Sequence, residues 1–99
     1  MNTVGEILKE ERNFKNISIF QVSQELKISK FILEKLENDE VVQDYNVVFY
    51  IGHLRSYCKF LGLDENLLIS NFKTQISFKK NDISDKIVKP NSSKLKSVN

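Results

Sequence analysis

Apolar residues recur by threes and fours along most of this chain, and the longest such run is Val47 to Leu63, VVFYIGHLRSYCKFLGL. As a helix it places Val47, Tyr50, Ile51, Leu54, Tyr57, Cys58 and Leu61 on one stripe, a spacing that fits a 3.6-residue turn. A second, narrower stripe runs beside it through Phe49, His53, Ser56 and Phe60. Val48, Gly52, Arg55 and Lys59 occupy the remaining face. One stripe suffices to dock a helix on a core, so two aromatic-rich stripes imply packing on both sides or a side shown to a partner. Gly52 lies mid-helix, where glycine costs roughly 1 kcal/mol against alanine, and this predicts a close approach by another backbone or a partner. Gly62 can supply the left-handed residue that ends the helix. Asp64 is placed to cap the next helix, DENLLISNF.

Shorter helices precede this one. Thr3-Val4-Gly5-Glu6 and Ser18-Ile19-Phe20-Gln21 are capping boxes, a hydroxyl followed three residues later by a carboxylate or amide that answers it. They predict helices over about 4–13 and 19–26, with Val4, Ile7 and Leu8 inward on the first and Val22, Ser23 and Leu26 inward on the second. Phe14 is expected to close over the end of the first. Ser29 caps a third helix, about 30–38, whose inner residues are Ile32, Leu33 and Leu36. Two short helices joined by the tight turn Lys27-Ile28-Ser29, with small Ser23 where they meet, form a helix-turn-helix pattern. Residues 39–46 are a connector. The periodicity fades from Lys73. The predicted fold is therefore all-α, a five-helix helix-turn-helix domain over residues 1–72 with a basic, disordered tail over 73–99.

The 99 residues are enough for one small domain. No stretch reaches the roughly 18 apolar residues of a membrane span, and Glu6, Glu10 and Glu11 break the one apolar run near the N-terminus, against a signal peptide. Cys58 is the single cysteine and lies on the core stripe, so no internal disulfide is possible and a cytoplasmic location is expected. Enzymatic chemistry has little to build on. One histidine cannot make a histidine-based metal cluster, and His53 and Cys58, five apart, diverge around a helix. Gly5, Gly52 and Gly62 are too scattered to cradle a phosphate. Glu10 and Glu11 read as surface charge. No enzyme activity, metal or cofactor is expected.

Gly52-x-x-Arg55-Ser56-Tyr57-x-x-Phe60-Leu61-Gly62-Leu63-Asp64 resembles the N-terminal cytoplasmic domain of RodZ-type bacterial cell-shape proteins. The resemblance runs from Gly5 to Phe72. Its earlier part, Gly5-Glu6-x-Leu8 through Val22 and Ile28 to Leu33-x-x-x-Glu37, is similar to the wider phage-repressor class of helix-turn-helix domains. The resemblance implies a five-helix domain that binds the actin-like filament protein MreB, at the inner face of the cell membrane, through two aromatic residues one turn apart on the fourth helix. Phe49 and His53 are the matching positions, and His53 stands where the family usually has an aromatic hydrocarbon ring. Phe60 continues the stripe, with Arg55 and Lys59 at its rim. Family members usually continue into a basic segment, a membrane span and an external domain.

A helix-turn-helix makes DNA binding the competing reading, through Ser29, Lys30, Phe31, Glu34 and Lys35 of the third helix. Charge weighs against it. Residues 1–72 carry eight Lys or Arg and eleven Asp or Glu, a net of −3, while 73–99 carry seven Lys and two Asp, a net of +5. Residues 29–40 set Lys30 and Lys35 against Glu34, Glu37, Asp39 and Glu40, a net of −2, although duplex affinity depends on cations that neutralise phosphates. Phe31 stands where a base reader would place Arg, Asn or Gln, and Phe20 is expected to face outward as well. Exposed rings on an acidic surface suit a protein interface. The dispersed lysines of the tail allow a weak contact with an anionic membrane surface.

Overall fold

The computed structural model describes residues 2–87, with side chains described through Ser77. Five helices follow one another: α1 (Val4–Phe14), α2 (Ile19–Leu26), α3 (Lys30–Glu37), α4 (Val47–Leu61) and α5 (Glu65–Ile87). Both capping boxes form. Thr3 Oγ1 accepts from Glu6 N while Thr3 N donates to the Glu6 carboxylate, and Ser18 and Gln21 exchange the same two bonds. Ser29 Oγ accepts from Ile32 N at 3.2 Å, and Asp64 Oδ1 accepts from Leu67 N at 3.1 Å. Gly62 takes the left-handed conformation, φ 77°, and lets Leu63 N reach back to the Cys58 carbonyl at 2.9 Å.

The middle of the fold is α4, which packs on each of the other four helices. Its predicted core stripe is the observed one: Leu54, Tyr57, Cys58 and Leu61 are buried, and Val47, Tyr50 and Ile51 pack partly buried against them. Val4 and Leu8 of α1, Val22 of α2, Leu33 and Leu36 of α3, and Leu68, Ile69 and Phe72 of α5 complete the cluster, with Ile28 and Val41 from the connections.

Three expectations are corrected. There is no break at Lys73: α5 runs on to Ile87, and Ile76 joins the core. The reason is polar as well as apolar. Gln75 accepts from Val4 N at 3.0 Å and donates to Asp39 Oδ1 at 2.9 Å, which satisfies the otherwise open first turn of α1. The expected disorder of 88–99 lies outside the described residues. Gly52 meets no neighbour, and a Cβ there would stand in open space. The close approach belongs to Gly5, where a Cβ would lie 2.7 Å from the Leu36 carbonyl oxygen and nearer still to that of Glu37. Phe14 is exposed and closes over nothing, because the chain turns away at Asn16 (φ 57°).

Among the described residues no helix is long and apolar enough to cross a membrane.

Candidate functional site

Two surfaces carry the residues singled out in the sequence. The first is the outer side of α4. Phe49 is 67% exposed and its neighbour Val48 72%. Just before the helix, Tyr45 is 88% exposed, held in a turn in which Asn46 N donates to Asp44 Oδ1 at 2.8 Å. Three apolar side chains therefore face solvent at the start of α4. Along the stripe His53 and Phe60 are half-buried, and Phe60 packs partly against the core. Arg55 reaches over to α5, with Nη1 2.8 Å from Glu65 Oε1, while Lys59 is exposed. The sequence stripe thus divides: its N-terminal end is open and its C-terminal end leans on the core. Periodicity does not single out Tyr45, which lies in the connector, or Val48, which shares its face with Gly52, Arg55 and Lys59.

The second surface is the outer side of α2 and α3. Ser29 is spent on capping, Lys30 lies 3.9 Å from Glu34, and the Lys35 ammonium stands 5.5 Å over the Phe31 ring. Glu37 and Asp39 are not on this surface. Glu37 is buried: Arg12 Nε donates to its Oε2 at 2.7 Å and Nη2 to its Oε1 at 3.0 Å, and the Tyr57 hydroxyl donates to Oε2. Asp39 turns toward α1 and accepts from Thr3 Oγ1 at 2.6 Å and Gly5 N at 2.9 Å. The net −2 counted over residues 29–40 therefore misstates the outer face of the third helix. Two of its four carboxylates are neutralised or bound inside the head, leaving Lys30 and Lys35 beside Glu34, with Glu40 beyond.

Between these surfaces lies a polar node that sequence reasoning missed. Arg12, Glu37 and Tyr57 tie α1, α3 and α4 together, and Arg12 Nη1 also donates to the Ile17 carbonyl at 3.0 Å. Its members are far apart in sequence, and Arg12 and Glu37 look like ordinary surface charges. Burial, with the Glu37 carboxylate next, holds the Tyr57 hydroxyl well above the usual tyrosine range. The hydrogen bond to Glu37 raises the Arg12 guanidinium. Burial pushes the Cys58 thiol up to about 11, so it is a protonated core residue at neutral pH.

A family model described as a helix-turn-helix domain matches residues 7–68, from the middle of α1 to the first turn of α5. The chain belongs to this helix-turn-helix family. An uncharacterized protein of Haemophilus influenzae is 39% identical to this helix-turn-helix chain over 64 residues, 64% of the chain and 21% of the relative. The chain thus spans about a fifth of that relative's length. No solved structure matches. Helix-turn-helix membership accounts for the α2–turn–α3 geometry and leaves the choice of partner to the surfaces.

Proposed function

We propose that this domain is a non-enzymatic protein-interaction module of the RodZ type, which binds the actin-like filament protein MreB and serves in cell-shape maintenance. The observation that carries the reading is the exposure of Tyr45, Val48 and Phe49 at one end of α4. Apolar side chains clustered on the surface of a small domain mark a place for a partner, and aromatic anchors supply much of the energy at protein interfaces. Phe49 is the anchor in this reading, His53 the half-buried neighbour one turn on, and Phe60 a support beneath the stripe. Lys59 and Arg55 form the rim, where charge acts mainly on encounter rate. The resemblance of residues 52–64 to RodZ-type domains supports the choice of partner and, with it, a position at the inner face of the membrane, where the lysines beyond residue 72 can add weak attraction to anionic lipid.

DNA binding is the second reading, and one observation favours it: Glu37 and Asp39 are turned inward, so the outer side of α3 is less acidic than its sequence. Titration of the full chain against MreB filaments and, separately, against a pool of random duplexes at physiological salt tests the two. Saturable binding to filaments with negligible duplex retention supports the module. Selective retention of one duplex, abolished by changing Lys30 or Lys35 and indifferent to Phe49, overturns it.

A further inference from the structure

The face formed by α2 and α3 has features that the α4 contact does not use. Phe20 and Phe31, each in the first turn of its helix, are 61% and 66% exposed, while both helices already satisfy the core through Val22, Leu33 and Leu36, with Ile28 of the turn between them. An open cleft of about 420 Å³ lies at the handover between the helices, lined by Ser23, Gln24, Lys27, Ile28 and Ser29, residues that fall between Phe20 and Phe31 in the sequence. Phe20 and Gln24 are one turn apart on α2, so they share a side of that helix. Charge separates this face from the rest of the head. Residues 19–36 carry Lys27, Lys30 and Lys35 against Glu25 and Glu34, whereas the other residues up to 72 carry five basic and nine acidic side chains. With Glu37 and Asp39 folded inward, the α2–α3 face is a weakly basic island with two rings on an acidic domain.

We infer that the α2–α3 face is a second docking surface, for an acidic protein segment that carries an apolar anchor. The anchor lies against Phe20 and Phe31, and its carboxylates meet Lys27 at the cleft and Lys30 in the first turn of α3. Complementary charge steers such a segment to this face and away from the acidic remainder. The same field disfavours the lysine-rich stretch of this chain beyond residue 72. A duplex is a poorer occupant, because one net positive charge neutralises few phosphates and Phe31 offers no hydrogen bond to a base edge. With α4 engaged elsewhere, the domain can hold two proteins at once.

The test uses the full chain, labelled with ¹⁵N, at physiological salt. The probes are a short synthetic peptide of alternating Glu and Phe, its twin with Lys in place of Glu, and a random DNA duplex. The expected result is that the acidic peptide shifts the amides of Gln24, Lys27 and Phe31, and the Lys twin does not. The pair Lys27→Glu with Lys30→Glu weakens that binding at least tenfold, as does Phe20→Ser with Phe31→Ser, and Phe49→Ala leaves it unchanged. If the serine pair fails to fold, the charge pair alone decides. No shift with the acidic peptide overturns the inference, as does equal binding of both peptides. Stronger shifts of the same amides by the duplex assign the face to DNA instead. A concentration-dependent dimer, lost in the serine pair, assigns it to a second copy of the chain.

Discussion

Arg12 grips Glu37 with two parallel hydrogen bonds, 2.7 and 3.0 Å, across 25 residues of chain. The Glu37 side chain is almost wholly buried, and the Tyr57 hydroxyl completes its shell. A charge taken out of water costs several kcal/mol unless its partners are in place.

Removing one partner should therefore hurt more than removing both. Arg12→Met is expected to cost about 3–5 kcal/mol, because it strands the Glu37 carboxylate, and adding Glu37→Leu should restore much of that loss. Urea unfolding of the two single variants and the double variant measures the coupling. A single-variant loss below about 1 kcal/mol, the size of an exposed pair, would place these charges in solvent.

The same node predicts an alkaline limit. The Tyr57 hydroxyl and the Cys58 thiol keep their protons in the fold to higher pH than in the unfolded chain. Where the folded state binds more protons, stability falls as pH rises. Stability from these groups is thus intact below about pH 9, the ordinary thiol value from which Cys58 is raised. It declines as pH rises toward about 11, the value to which burial pushes Cys58, with Tyr57 adding its share above about 10. Tyr57→Phe should be less stable at neutral pH by about 1.5–3 kcal/mol, the worth of a hydrogen bond to a charged group. Its decline above pH 10 should be shallower. Parallel curves for the wild type and the variant would contradict this.

The two helical glycines should respond in opposite directions. Gly52→Ala adds a methyl to open space inside a helix and is expected to stabilise by up to about 1 kcal/mol. Gly5→Ala drives a methyl into the backbone carbonyls of Leu36 and Glu37, and should cost about 3 kcal/mol or more, since backbone must move. Thermal melts of both variants decide it, and equal signs would undo the assignment of the α1–α3 contact.

The head extends past Phe72 to Gln75 and Ile76. Ile76→Ala is expected to cost about 2–5 kcal/mol as a buried truncation. Deleting residues 73–99 should cost at least as much, because Gln75 goes with Ile76. An unchanged melting temperature in the deletion variant would return the boundary to residue 72.

What the sequence revealed follows the range of the interaction. Caps are local, so Thr3, Ser18, Ser29 and Asp64 could be read from a hydroxyl or carboxylate and its neighbour three residues on. The core face of α4 could be read from spacing alone. The Arg12–Glu37–Tyr57 node could not, because a charge gives no local sign that it is buried. Gly5 and Gly52 look alike in sequence, and only the crossing of α1 over the end of α3 distinguishes them. Gln75 has the composition of a polar tail residue, and only the fold sets Asp39 and Val4 N beside it. On the candidate contact face, Phe49 was legible as a ring off the core stripe. The openness of Tyr45 and Val48 depended on how the connector enters α4, which periodicity does not report.

We propose that the exposed end of α4 binds MreB, and a titration with one variant decides it. The affinity of the purified chain for MreB is measured for wild type and for Phe49→Ala, with circular dichroism as the folding control. Because Phe49 is largely exposed, the variant should keep its helical signal and melting. Loss of an aromatic anchor typically removes about 2 kcal/mol or more of binding, so its affinity should fall more than tenfold. A folded Phe49→Ala chain that binds MreB as tightly as wild type would contradict the account.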